Sequence, residues 1–280
     1  MKRLLTCIKF IIISVAFTSL AGCGETDIEP EGEMAVIEGW ISSDGYPTVI
    51  FTSSINPDGR DKKLSDAVVR WGRVSISDGE RTVVLTAGPD DDYFPPYRYY
   101  NYRLKGEPGR TYTIKADYKR LHAEASCTMP FPTEIDRIEV EPLNDSLRGA
   151  TLYFRAPEDC PAYYYVTLRS DKRRSRPYPA MLGIAEALQP GAEISIPLYR
   201  PKNRLDTLDF VPNFKKGERY LVDLNRIDKK VYDFWRSYNE LIVFGGSQFV
   251  STSSELVGNI KNGYGVWSAQ GTSTRQLDIE

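Results

Sequence analysis

Two segments in which apolar and polar residues alternate strictly place the tightest constraint on the fold of this chain. In Thr111–Tyr118 every second residue is apolar, and the alternation resumes in Leu121–Cys127 after Lys119-Arg120. Successive side chains of a β-strand point to opposite faces, so each segment predicts a strand with one buried face. The short connection between them predicts that the two strands pair as a hairpin.

Most of the remaining chain has the same organisation of short strands and turns. Asp78-Gly79 predicts a second hairpin, between Ala67–Ser77 and Thr82–Thr86. Apolar and β-branched residues predict further strands at Met34–Ile41, Thr48–Thr52, Ile135–Val140, Ala150–Ala156, Ala162–Leu168, Glu193–Leu198, Leu205–Val211, Tyr220–Ile227 and Val266–Ala269.

The segment Met129-Pro130-Phe131-Pro132 is the best candidate for a domain boundary, because paired prolines are poor strand interiors. We therefore predict a mostly β fold with two β-sandwich-like domains, over residues 34–129 and 133–280. Six or seven strands make the first domain typical of an Ig-like or transthyretin-like sandwich.

One segment departs from the β pattern and predicts an amphipathic helix near residues 228–243 in the second domain. Its apolar residues recur every three or four positions, which is helical spacing. Asp228 is a suitable N-cap and Gly245-Gly246 a suitable end. The apolar stripe consists of Ile227, Val231, Phe234, Trp235, Tyr238, Leu241 and Ile242.

The first 22 residues have the order of a secretory signal peptide: a basic start, a short apolar run at Phe10–Phe17 and small or apolar residues. The apolar run is too short for a membrane-spanning helix. Leu20-Ala21-Gly22-Cys23 resembles the lipobox of bacterial lipoproteins, which implies cleavage before Cys23 and its acylation with palmitate-like chains. Several acyl chains hold a domain on a membrane almost irreversibly. Residues 23–33 then form an acidic, lipidated tether.

Charge argues against nucleic acid as a partner. The chain has 36 Lys and Arg and 38 Asp and Glu residues, and three of the basic ones lie in the leader, so the chain from Cys23 onward has a formal charge of −5. The acidic residues behind Cys23 resemble the signal that sends many such lipoproteins to the cell surface. We expect the outer membrane, with the cell surface favoured over a periplasm-facing position.

The sequence offers no convincing catalytic constellation and predicts no metal and no cofactor. His122 is the only histidine, and alternation places it on the exposed face of its strand. Asp90-Asp91-Asp92 lacks the spacing of a calcium loop and is better interpreted as a solvated turn. A pair of carboxylates in a glycan hydrolase stays open as an alternative. Cys127 and Cys160 are either a disulfide or two separate thiols.

Two stretches are candidates for binding a ligand or partner. The first surrounds a diproline, and a Pro-rich stretch should not form a central strand, so some of its rings should be exposed. Its candidate residues are Tyr97, Arg98, Tyr99, Tyr100 and Tyr102. Its alternative role is to cover the end of the sandwich. The second is a basic loop that is either solvated or meets acidic groups, with Lys172, Arg173, Arg174 and Arg176.

Several sequence blocks in order resemble a domain-of-unknown-function family, number four-two-four-nine, typical of Bacteroidetes lipoproteins. One loop, at Gly246–Phe249, departs from the turn expected there. The blocks are Glu38–Ile41, Tyr46–Val49, Leu64–Val69, Gly109–Ile114, Ile227–Tyr238 and Asn259–Trp267.

The resemblance implies a cell-envelope β-sandwich lipoprotein, commonly encoded beside a TonB-dependent outer-membrane transporter and without an agreed catalytic activity. We therefore expect a non-enzymatic accessory that docks on such a transporter or captures its ligand. The alternatives are the glycan hydrolase and an adhesin or structural surface lipoprotein.

Overall fold

The computed structural model describes residues 33–55, 64–170, 175–201, 210–244 and 256–280. Within these ranges the chain forms sixteen strands, one α-helix and one turn of 3-10 helix at Leu64–Ala67. The expected mostly β class with a single α-helix is thereby confirmed for the described residues. Some predicted features lie outside these ranges: the leader, Cys23, the tether up to Gly32, Lys172–Arg174, most of the strand at 205–211, and Gly245–Phe249.

The first eight strands contain both hairpins that the sequence predicts. They are β1 (Ala35–Ser42), β2 (Thr48–Ser53), β3 (Arg73–Ser77), β4 (Thr82–Val84), β5 (Thr86–Pro89), β6 (Tyr97–Tyr100), β7 (Thr111–Tyr118) and β8 (Leu121–Thr128). β7 and β8 pair antiparallel from one end to the other, and alternate residues of each are buried. β3 pairs with β4 across Asp78-Gly79, where Gly79 adopts a φ of 92°.

The second eight strands surround the helix and end the chain. They are β9 (Arg137–Pro142), β10 (Leu147–Arg155), β11 (Ala162–Ser170), β12 (Tyr178–Ala187), β13 (Glu193–Leu198), β14 (Phe214–Lys215), β15 (Arg219–Ile227) and β16 (Gly263–Asp278). The predicted final strand is thus longer than the sequence pattern indicates, and β12 is a strand that the pattern does not predict.

One sheet of eight strands organises the described chain, in the order β12-β11-β15-β16-β1-β2-β6-β5. At its centre β1 pairs in parallel with β16, from Ala35 opposite Gly263 to Ser42 opposite Gln270. Gly265 has a φ of 102°, and a side chain there would meet the Ile37 carbonyl oxygen, 2.0 Å from an added Cβ. The sheet takes strands from both sides of residues 130–132, and the domain boundary there stays a prediction.

Two smaller sheets pack on this sheet and enclose two apolar cores. The sheet β4-β3-β7-β8 encloses the first core, with Phe51, Tyr112 and Trp267 among its buried side chains. β10, with its partners β9, β13 and β14, encloses the second core, around Phe154 and Tyr164. β16 contributes to both cores, because its sixteen residues extend past the first core into the second.

The helix, α1, extends over Lys229–Phe244, in agreement with the helical spacing. Asp228 caps it as predicted: its carboxylate accepts a hydrogen bond from the Val231 amide at 2.9 Å. The aromatic stripe packs on the eight-stranded sheet, where the Trp235 ring stacks on Tyr165 with 5.0 Å between the ring centroids. α1 therefore uses its aromatic face as part of the first core.

Candidate ligand-binding surface

Strand β6 carries most of the tyrosines that the sequence singles out, and it divides them between two faces. β6 is an inner strand, between β2 and β5. The diproline Pro95-Pro96 lies just before its first residue. The expectation that this Pro-rich stretch does not form a central strand is wrong for Tyr97–Tyr100, because neither Pro95 nor Pro96 falls within β6. Alternation then directs Tyr97 and Tyr99 to one face and Arg98 and Tyr100 to the other.

The first face of β6 is structural. Tyr99 is buried, and its hydroxyl donates to the Val69 carbonyl at 2.7 Å and accepts from the Gly72 amide at 3.0 Å. The Tyr97 hydroxyl donates to the Arg70 carbonyl at 3.1 Å. Burial raises the pKa of Tyr99 to about 12. These hydroxyls fix the loop that joins the 3-10 helix to β3.

The second face of β6 belongs to a ladder in which guanidinium groups alternate with aromatic rings. Arg98 lies 5.0 Å from the ring centroid of Tyr93 and 4.7 Å from that of Tyr100. Arg176 lies 5.4 Å from the same Tyr93 ring and 5.2 Å from that of Tyr178. All four distances suit cation–π contacts. We call this ladder, Tyr178-Arg176-Tyr93-Arg98-Tyr100, the arginine–aromatic surface.

Each guanidinium of the arginine–aromatic surface has its own carboxylate. Arg98 Nε donates to Asp90 at 2.6 Å, and Arg176 donates to Glu38 at 2.5 Å. The surface is therefore close to neutral, so it suits a ligand or partner that offers ring faces and hydrogen-bond acceptors more than one with many charges. One donor is left over: the buried Arg176 Nε has no hydrogen-bond partner in the part of the chain that the structure describes.

Burial and charge set the ionisation of this surface. Burial raises the pKa of the Tyr93 phenol, and the neighbouring Arg98 charge opposes the change only in part. Burial disfavours the charged form of Arg98, but its hydrogen bond to Asp90 raises its pKa overall. Tyr93 therefore stays neutral and Arg98 stays charged throughout the neutral pH range.

Exposed rings border the arginine–aromatic surface. Phe94 and Tyr102 are about half exposed, at 51% and 50%, and Tyr46 is exposed as well. The Tyr46 and Tyr102 rings meet edge to face with 5.3 Å between their centroids, and Tyr102 lies 5.2 Å from Tyr100. Such a pair is a rigid apolar contact that costs little side-chain entropy on binding.

The structure brings together parts of both stretches that the sequence treats as separate candidates. Arg176, the described member of the basic loop, reaches the aromatic stretch, and Tyr178 donates to the Asp92 carbonyl at 3.3 Å. Arg176 is only 8% exposed, so the solvated alternative is wrong for this residue, because Glu38 and two rings enclose it. Glu38 and Tyr46 are members of the site that the sequence reasoning missed.

The other sequence candidates are His122 and the acidic turn Asp90-Asp91-Asp92. His122 is exposed as expected, with its Nδ1 2.8 Å from the Asp117 carboxylate. Asp90 is occupied by Arg98 and by the Asp92 amide, at 3.1 Å. Within the described ranges, no three His, Cys, Asp or Glu side chains gather where they would hold a metal ion.

Cys127 and Cys160 are free thiols in the structure, which corresponds to the second of the two alternatives for them. Cys127 is buried, with its sulfur 3.1 Å from Asp228 and 3.0 Å from the Trp267 carbonyl. Burial, followed by the Asp228 charge, raises the pKa of its thiol far above the ordinary range. Cys160 instead lies beside the Pro157 carbonyl, at 3.2 Å.

Among the helices in the described part of the chain, none has both the length and the apolar character required to span a membrane. A family model described as "Domain of unknown function (DUF4249)" matches residues 25–276. The chain belongs to this family. No curated protein matches it.

Among solved structures, the chain is similar to the one titled "Crystal structure of chicken CNTN1 FN1-FN3 domains", with 13% identity and a TM-score of 0.23. The similarity covers 69% of this chain and 61% of that one, so the chain matches less than two thirds of its length.

Proposed function

We propose that this member of the DUF4249 family is a lipoprotein of the outer membrane that displays a binding surface for a ligand or partner outside the cell. Acylated Cys23 anchors it, and the folded chain acts as a non-enzymatic accessory of a TonB-dependent transporter. The observation that carries the proposal is the arginine–aromatic surface with its exposed border. It combines rigid rings, matched charges and one unused buried donor, which are features of protein and ligand hot spots.

The position of the exposed rings supports this role. Strand β1 begins at Ala35, just after the segment that leads back to Cys23, and ends at Ser42, four residues before Tyr46. Eight residues of extended strand span about 25 Å. The Tyr46–Tyr102 pair therefore lies at the opposite end of β1 from the anchored segment, where a large partner has access to it.

Anchoring also explains how a small binding surface can be sufficient for contact with a membrane protein. A domain confined to the plane of a membrane meets another membrane protein at a high effective concentration, so a weak contact is populated. A border of exposed rings suits such a contact better than the enclosure of a small molecule.

Site-specific photocrosslinking tests the transporter contact directly. A crosslinking amino acid placed at Tyr102 should give a product with a TonB-dependent barrel in intact cells, because the ring is half exposed at the border of the surface. The matched control is Leu143, which is also half exposed but follows β9 in a different sheet. Equal products at both positions, or none at Tyr102, would contradict the proposal.

The anchor is tested separately by metabolic labelling with a clickable fatty acid. The wild type should carry the label, and Cys23→Ala should carry none and should leave the membrane fraction. A labelled Cys23→Ala protein would exclude Cys23 as the acylated residue.

A further inference from the structure

The start of β1 and the turn between β7 and β8 lie at the same end of the first core. Glu124 of β8 exchanges two backbone hydrogen bonds with Lys261, at 2.8 and 3.3 Å. Two residues later β16 begins at Gly263, which lies directly opposite Ala35 of β1. The turn Lys119-Arg120 immediately precedes β8, so it is close to the point where the chain leads back towards Cys23.

Trp71 projects from this same end. β3 begins at Arg73, which pairs with Asp117 near the end of β7, so the residues before β3 lie beside the β7–β8 turn. Trp71 is 85% exposed, whereas the other tryptophans of the chain are buried or partly buried. The backbone on both sides of Trp71 is nevertheless fixed by Tyr97 and Tyr99.

The cations at this end are unmatched, in contrast to those of the arginine–aromatic surface. Among the described residues, none of the five basic side chains at this end has an ion-pair partner. Two acids at this end are already engaged: Asp117 lies 2.8 Å from His122 and Glu124 lies 3.5 Å from Lys115. Glu33 and Asp66 are further exposed acids there, so five cations face a smaller number of described acids. The five exposed cations are Arg70, Arg73, Lys119, Arg120 and Lys261.

We infer that these cations and Trp71, together the tether-end surface, dock on the phosphate groups of membrane lipids. An indole ring combines an apolar body with one polar N–H, so it partitions into the zone between head groups and acyl chains. Arginine and lysine beside it are attracted to lipid phosphates. The net charge of the rest of the chain is negative, which makes a cationic end a directional feature and not a general property of the surface.

The chain length permits this contact. The ten residues from Cys23 to Glu33 span at most about 36 Å, so an anchored Cys23 keeps the start of β1 within that distance of the membrane. The inference therefore rests on the proposed anchor and adds an orientation to it. With the tether-end surface on the lipid, the Tyr46–Tyr102 pair at the other end of β1 faces away from the membrane.

Tryptophan fluorescence of the processed full-length protein in vesicles tests the inference. The protein is reconstituted into vesicles of brominated phosphatidylcholine, alone or mixed in equal parts with brominated phosphatidylglycerol. Bromine quenches only a tryptophan that reaches the lipid. We expect strong quenching in the anionic vesicles and its loss in Trp71→Phe. Arg70→Gln and Arg73→Gln should each lower the equilibrium constant for contact between the tether-end surface and the anionic lipid about five-fold.

Arg103→Gln is the matched control, because Arg103 is exposed and has no ion-pair partner among the described residues, but follows Tyr102 at the far end of β1. The fluorescence of Trp71 in this variant should be quenched as strongly as in the wild type. Protein that floats with the vesicles but shows no quenching of Trp71, or equal quenching without phosphatidylglycerol, would overturn the inference. Protein that fails to float with the vesicles would instead count against the proposed anchor.

Discussion

The tether-end surface and the arginine–aromatic surface both combine arginine with aromatic rings, but they treat charge in opposite ways. Arg98 and Arg176 each have a carboxylate within 2.6 Å and a ring on each side. Arg70 and Arg73 have neither an ion-pair partner nor a stacked ring among the described residues. Unmatched charge attracts at long range and suits a diffuse surface, whereas matched charge acts only on close and specific contact.

The largest expected effect of this difference is on stability. Arg176→Ala leaves Glu38 without its partner and uncovers the Tyr93 ring, so we expect a loss of about 2–3 kcal/mol in the free energy of unfolding. Arg73→Ala removes an exposed charge that has no ion-pair partner among the residues described, and it should cost less than about 0.5 kcal/mol. Urea unfolding of both variants measures the contrast. Similar losses would mean that the two surfaces do not differ in this way.

A second prediction concerns the Tyr99 hydroxyl, which fixes the loop that contains Trp71. The pKa of Tyr99 is raised to about 12 in the folded chain, so the folded state keeps this proton while the unfolded chain loses it near pH 10. Stability should consequently fall as the pH rises from about 10 to about 12, by about 2.7 kcal/mol at most, and this loss should be absent at neutral pH. Unfolding curves across that range measure it.

Tyr99→Phe provides the control for this pH dependence. The variant should lose about 1 kcal/mol at neutral pH, because two hydrogen bonds of the hydroxyl are removed, but its stability should fall less steeply above pH 10. An unchanged slope would assign the alkaline loss to other buried tyrosines, and the Trp71 loop would then have to be held by other contacts.

Salt provides a third, smaller contrast. Raising the ionic strength from about 0.1 M to about 1 M shortens the screening length from about 10 Å to about 3 Å. Quenching of Trp71 by anionic vesicles should therefore weaken at least about five-fold, whereas crosslinking through Tyr102 should change less than about two-fold. If quenching of Trp71 and crosslinking through Tyr102 fall equally, the arginine–aromatic surface binds its partner through net charge.

Thiol labelling gives the smallest effect and tests the packing beneath both surfaces. Iodoacetamide at neutral pH should modify Cys160 and leave Cys127 unmodified in the native protein, since burial and Asp228 keep the Cys127 thiol protonated. Peptide mapping by mass spectrometry, with a urea-unfolded sample as the control, measures this. Equal modification of the two thiols in native protein would show that the first core opens readily.

Local patterns in the sequence predict local structure well. Thr111–Tyr118, Leu121–Cys127 and α1 follow from the spacing of apolar residues alone, and Asp228 follows from capping chemistry. β12 was missed because its pairing with β11 is irregular: Tyr165 lies opposite Ile184 but Thr167 lies opposite Pro179. The residues between these pairs break the alternation on which the prediction depends.

The sequence could not predict the contacts between residues that are far apart in the chain. Arg176 and Glu38 are 138 positions apart, and nothing in a run of basic residues indicates that one of them is buried against a carboxylate. The sequence pattern also does not predict the pairing of β1 with β16, because the register between two distant strands depends on the assembled sheet. The aromatic stretch could be recognised by composition, but its partners on β1 and before β12 could not.

The parallel pairing of β1 with β16 also bears on how the chain acquires its structure. Strand β1 can form its full set of neighbours only when the sixteen residues of β16 are available. Closing so long a loop is slow, and a chain that lacks its C-terminal strand leaves the middle of the sheet open. The sheet is therefore complete only after β16 has been synthesised, and a product that lacks β16 has unpaired edges at β1 and β15.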